Sequence, residues 1–157
     1  MVAPSSFVLP GTVRQYARSR PFNIRHLSLD LDLLVDEKRV AGFATLEVER
    51  VDAEADRLQL DAVGFEIGSV KLVTGDELPT TKWEYDGDQL YVTIPKAWQQ
   101  CTVEIEYAVT PRRGLYFIEP DEIVTDRPRQ VWSQCQDQDA RYWFPCHDAP
   151  DAKMTSE

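Results

Sequence analysis

The sequence predicts an all-β domain, a largely antiparallel sandwich or curved sheet, and three observations carry that expectation. Apolar and polar residues alternate with a period of two in run after run, which puts one face of each strand in a core and the other in water. Turn-forming clusters fall between the runs, at Asp36-Glu37-Lys38, Thr74-Gly75-Asp76 and Asp86-Gly87-Asp88. No segment carries a sustained apolar stripe at i, i+3, i+4 and i+7, so only short helical pieces are expected, near Lys96–Gln100 and after Glu119.

In chain order, residues 1–21 are rich in Pro and Ser and read as an irregular arm, docked through Phe7-Val8-Leu9. Residues 22–157 then form one β domain. Leu27, Leu29, Leu31 and Leu33 alternate with Ser28, Asp30 and Asp32, which makes Ile24 to Val35 a half-buried strand. After the turn at Asp36, Ala44, Leu46 and Val48 alternate with Thr45, Glu47 and Glu49 and give its antiparallel hairpin partner. Leu58 to Ala62, Leu90 to Ile94 and Val103 to Val109 repeat the pattern. If Val131 to Gln136 is a strand, Trp132, Gln134 and Gln136 share one face while Ser133 and Cys135 take the other. The stretch from Asp151 to Glu157 carries no closing signal, and the chain is expected to continue into a further domain.

Composition narrows the function. With 157 residues the chain is long enough for one well-buried core. Its 27 acidic against 17 basic residues give a net charge of −10, which disfavours nucleic acid and anionic lipid as partners. No apolar run is long enough to span a membrane as a helix, and residues 1–10 lack the pattern of a secretory signal, so a cytoplasmic protein is expected. Three widely spaced cysteines, Cys101, Cys135 and Cys146, fit reduced thiols better than a disulfide framework. They also lack the close ligand pairs of a structural zinc site.

The chain alone shows no catalytic machinery. It contains no G-x-S-x-G elbow, no glycine-rich phosphate loop and no H-E-x-x-H pair. The carboxylates at Asp30, Asp32, Glu47, Glu49, Glu104 and Glu106 alternate along strands and read as a solvated sheet face. Asp137-Gln138-Asp139 lacks the glycine and terminal glutamate of a calcium loop. The unusual stretch is Val131 to Pro150, where Trp132, Tyr142, Trp143 and Phe144 interleave with Gln134, Gln136, Asp139, Arg141 and Asp148. Two readings stay open there: amides capping a sheet edge over core aromatics, or a binding site. Arg141 with a nearby Asp reads as an ion pair, and Cys146 beside Pro145 as a buried thiol.

The letters of this stretch narrow the choice. Ser133-Gln134-Cys135-Gln136 is followed by Asp139, Arg141, Phe144-Pro145-Cys146, Asp148, Pro150, Lys153 and Thr155 in a fixed spacing, with Gly114-Leu115-Tyr116 upstream. This string closely resembles the end of the N-terminal domain of peptidase family M1 zinc aminopeptidases. Gln136, where that family commonly has Glu, gives an S-Q-C-Q string that resembles the leukotriene hydrolase/aminopeptidase branch.

The resemblance implies a saddle-shaped β domain that precedes a catalytic domain. The H-E-x-x-H-x18-E zinc ligands and the catalytic tyrosine are absent from this sequence and would belong to that missing domain. It further implies zinc in the full-length protein and none held by this chain, peptide N-termini as substrate, and the chain's own catalytic domain as partner. Gln136 would then offer an acceptor to the substrate amine, and Gln134 would line the pocket for the first side chain. The alternatives are a free-standing β-sandwich module that binds carbohydrate or protein through exposed Trp83, Trp98 or Trp132, and an inactive paralogue serving as a scaffold.

Overall fold

The computed structural model describes residues 18–75 and 80–157; the expected arm, apart from its last residues, lies outside the described residues. Among the described residues ten strands follow one another: β1 (Phe22–Leu34), β2 (Arg39–Arg50), β3 (Arg57–Asp61), β4 (Glu66–Val73), β5 (Trp83–Tyr85), β6 (Gln89–Thr93), β7 (Gln100–Val109), β8 (Gly114–Ile118), β9 (Gln130–Gln134) and β10 (Thr155–Ser156). A 3₁₀ turn at Ala140–Tyr142 stands between the last two. The all-β class read from the alternation therefore holds, and of the strand pairs among the described residues only β1 with β10 is parallel.

The strands form a five-stranded sheet in the order β10-β1-β2-β7-β4, a three-stranded sheet β3-β6-β5 and the hairpin β8-β9. Leu46 and Val103 from the large sheet and Leu60 and Leu90 from the small one are all fully buried in one common core. Burial of each such side chain stabilises the fold by roughly 1.5–3 kcal/mol. The opposite face of the large sheet carries the alternating carboxylates: Asp30 of β1 pairs in register with Phe43, and Phe43 with Glu106 of β7. Asp30, Glu47 and Glu106 are exposed, as expected for a solvated face.

Neither expected helical piece forms. At Lys96–Gln100 the chain makes a turn with one i to i+3 bond, Trp98 N–H to the Pro95 carbonyl at 3.0 Å. The carbonyls that would propagate a helix are occupied by Arg50, whose buried guanidinium donates to those of Ile94, Pro95 and Trp98 at 3.3, 2.7 and 3.0 Å. After Glu119 the Asp121 carboxylate accepts the backbone N–H of Ile123 and Val124 at 2.9 and 2.7 Å. This local bonding competes with a helix, and Pro128 ends the segment.

Candidate functional site

The β8-β9 hairpin carries the candidate residues, and its two faces differ. Leu115 and Phe117 of β8, with Val131 of β9, pack on the core. A two-stranded hairpin alone is marginal in water, so this packing is what holds it. The other face presents Tyr116 opposite Trp132, with ring centroids 4.6 Å apart and planes at 20°, and one step on, Gly114 opposite Gln134. At the far end Arg129 bonds Asp36 at 2.6 Å, tying the hairpin loop to the β1-β2 turn.

Strand β9 stops at Gln134, so the expectation that Gln136 continues its face is corrected: Gln136 begins a turn that runs to Asp139. The peptide bond from Gln136 to Asp137 is cis. The turn is closed by Asp139 N–H donating to the Cys135 carbonyl at 3.0 Å and by Gln136 N–H donating to Gln134 Oε1 at 3.1 Å. Gln134 and Gln136 are thus brought together, though by a side chain holding a backbone group and not by strand alternation. Both side chains are exposed, and among the described residues the carboxamide of Gln136 has no hydrogen-bond partner within the chain.

Gly114 sets where this turn sits. Its φ is +78°, and a Cβ there would stand 2.1 Å from the Asp139 carbonyl oxygen and 2.9 Å from Cδ1 of Trp143. Only glycine lets the hairpin and the turn approach this closely. Trp143 closes the other side, its indole N–H donating to Cys135 Sγ at 3.3 Å and its carbonyl accepting the Tyr107 hydroxyl at 3.0 Å.

Behind the turn lies a buried charge cluster that the alternation did not reveal. Asp61 at the end of β3 is fully buried, and its carboxylate accepts from Gln89 Nε2 at 2.7 Å, Asp148 N–H at 2.9 Å and the Arg18 guanidinium. Its backbone pairs with Cys146 in an isolated antiparallel bridge. Arg141 donates through Nε to Asp148 at 3.0 Å, the ion pair expected from sequence. Burial raises the Asp61 pKa, but the hydrogen bonds from Arg18, Gln89 and Asp148 outweigh it and the net shift is downward. Cys146 is buried as expected, and burial together with the nearby Asp148 and Asp61 charges pushes its thiol well above the ordinary range.

This donor set does not suit a cation such as zinc, because the carboxylates are occupied by guanidinium and amide donors and the Cys146 thiol stays protonated. Among the described residues no group of three or more His, Cys, Asp or Glu has metal-binding geometry. The tryptophans named for a carbohydrate module do not form one platform. Trp98 packs on the core, Trp83 stands at 38% exposure on β5, and Trp132 stands at 47% on β9, in another sheet.

The arrangement is therefore a turn of exposed amides, closed by its own hydrogen bonds and set against the β8-β9 hairpin at Gly114, followed along the chain by residues of a buried ion cluster. The sequence profile of the peptidase M1 N-terminal domain matches residues 22–157. The chain belongs to this family. Leucine aminopeptidase 2 of Phaeosphaeria nodorum is 31% identical over 153 residues, covering 93% of this chain and 24% of that protein. Leucine aminopeptidase 2-2 of Scheffersomyces stipitis is 29% identical over 157 residues, covering 98% and 24%. The chain thus spans about a quarter of the length of the curated relatives it matches.

Among solved structures, yeast LTA4 hydrolase in complex with bestatin superposes with a TM-score of 0.71 at 21% identity, covering 94% of this chain and 25% of that one. Aminopeptidase A of Legionella pneumophila, in complex with aspartic acid, gives 0.66 at 23% identity, covering 89% and 16%. In this M1 N-terminal domain Arg141, Cys146 and Asp148 are tied to one another and to Asp61, while Gln134 and Gln136 face outward.

Proposed function

We propose that this M1 N-terminal domain is the scaffold and pocket-wall portion of a zinc aminopeptidase that removes residues from peptide N-termini, with zinc and its ligands supplied by the remainder of the protein. The family match across residues 22–157 supports the parent activity. The single observation that carries the site is the Gln134–Gln136 clasp. An enzyme that measures one residue from a free amine needs an acceptor for that ammonium at the closed end of its cleft. Gln134 Oε1 is occupied by the Gln136 N–H, which leaves the Gln136 carboxamide oxygen as the unoccupied amide acceptor. The closed turn would anchor the Gln136 backbone, leaving its exposed carboxamide to orient on the substrate amine while the rest of the enzyme completes the cleft.

In this reading Gln136 Oε1 accepts from the substrate ammonium, Gln134 positions it and borders the first side-chain pocket, and neither moves a proton. Metal bound elsewhere would polarise the scissile carbonyl and activate water. We place the protein in a reducing, cytoplasmic setting, in keeping with three widely spaced cysteines that form no close pairs in the sequence.

The test is Gln136→Ala in the full-length enzyme, assayed on aminoacyl anilides. Loss of a hydrogen bond to a charged group is worth about 1.5–3 kcal/mol, so kcat/KM is expected to fall roughly ten- to more than a hundredfold with the melting temperature unchanged. An unaltered kcat/KM removes Gln136 from the site.

A further inference from the structure

The outward face of the β8-β9 hairpin differs from the rest of the surface. Register and alternation put Tyr116 and Ile118 of β8 there, beside Gln130, Trp132 and Gln134 of β9. None of these five is charged, in a chain of net charge −10 whose large sheet turns a row of carboxylates to solvent. At its centre Trp132 is stacked on Tyr116 and still 47% exposed. A tryptophan brings 150–250 Å² of surface to burial, so a half-open aromatic pair on a neutral face is unfinished contact area.

The pair has a fixed relation to the amide turn. Trp132 and Gln134 lie two residues apart on the same face of one strand, about 6.8 Å along it. Gln134, which borders the first side-chain pocket in the reading above, thus has Trp132 as its next neighbour on that face, so a long side chain that passes Gln134 meets the indole. Stacking presets the indole orientation, so it acts as a wall with little entropy left to lose.

We propose that Trp132, backed by Tyr116, is a specificity-determining wall that selects substrates with a large apolar or aromatic N-terminal side chain. The inference rests on the aminopeptidase reading above and deepens it: Gln136 measures the amine, and the stacked pair reads the side chain next to it. The occupant is a neutral apolar side chain because the five residues of this face are aromatic, aliphatic or amide, and the charges at its Gly114 end, Arg113 and Asp139, face one another at 3.9 Å.

The test uses the full-length enzyme and a series of aminoacyl anilides bearing Phe, Leu and Ala. Trp132→Ala and, separately, Tyr116→Ala are each expected to reduce the preference for Phe and Leu over Ala by about tenfold or more, the scale on which a hydrophobic pocket discriminates. The rate on the Ala substrate is expected to stay within about twofold, and the melting temperature to stay near that of the parent. A uniform fall on all three substrates with a lower melting temperature overturns the proposal and assigns the pair to packing against the rest of the protein. Unchanged preferences in both variants overturn it as well. Gln136→Ala run in parallel separates the two readings: if it impairs all substrates while the aromatic variants keep the parent's preference, the amine site stands and only the side-chain wall falls.

Discussion

The carboxylate of Asp61 accepts the backbone N–H of Asp148 at 2.9 Å, joining the end of β3 to a residue far along the chain. Through this bond, and through the Asp61–Cys146 bridge, the segment behind the amide turn is held to the small sheet. Asp61→Ala leaves the Arg18 guanidinium, Gln89 Nε2 and the Asp148 N–H without their shared acceptor. The domain is expected to lose about 3 kcal/mol or more, read as a drop in the urea midpoint.

The same carboxylate gives the stability a direction in pH. Its folded pKa is lowered, so its contribution is fully present above the unfolded value of about 3.9 and is lost as pH falls through the lower folded value. Melting temperature measured from pH 7 down to pH 2 is expected to fall steeply below about pH 4, and the Asp61→Asn variant is expected to show a shallower acid limb. Equal acid slopes in the two proteins would remove Asp61 as a source of the dependence.

How much of this was legible in sequence depended on whether a residue's partners were local. Strands β1, β2, β3, β6 and β7 announce themselves because each alternates over its own length. Strand β4 does not, since its register shifts between Ile67 and Ser69 at Gly68 and breaks the period of two. Strands β5 and β10, of three and two residues, exist only by virtue of their partners. Asp61 reads as an outward residue beside Gln59, and only coverage by residues 146–148 and Arg18 makes it buried. Gln134 and Gln136 are legible through a motif, while the placement of their turn depends on Gly114 meeting Asp139 across the sequence, which no local pattern displays.

Gly114→Ala tests that close approach. The residue would need a φ near +78° and its methyl would overlap the Asp139 carbonyl oxygen, so the hairpin or the turn must shift. A loss of roughly 1–3 kcal/mol is expected, with a larger fall in the parent's kcat/KM than an equally destabilising core variant produces. Equal kinetic effects of the two would mean that the turn's position is not what Gly114 secures.

The thiols should separate by burial. Cys101 is buried and burial raises its pKa to about 11, Cys146 is buried and its pKa is likewise pushed well up, and Cys135 is half-buried beside Trp143. Because the thiolate is the reactive form, a disulfide reagent at pH 8 is expected to label Cys135 in the folded domain first. The other two should react only on addition of denaturant, giving three labelled thiols in total without reductant. Two thiols missing from that total would instead indicate a disulfide.

Gln134 offers the sharpest separation of positioning from contact. Its Oε1 holds the Gln136 N–H at 3.1 Å, so Gln134→Ala removes an acceptor on which the neighbouring amide's orientation depends. Gln134→Glu keeps an acceptor at the same reach and strengthens it, since bonds to a charged group are about twice as strong as neutral ones. A net loss near 1 kcal/mol is expected for the Ala variant and none for Glu, measured by thermal or urea unfolding. In the parent enzyme the Ala variant is expected to lower kcat/KM about fivefold through misplacement of Gln136, and Glu to restore the turn while adding a negative charge beside the substrate ammonium. KM for the aminoacyl anilide should then fall in the Glu variant relative to Ala. If Glu and Ala are equally impaired in both stability and kinetics, the clasp is not what positions Gln136, and the amide itself must be the group that matters.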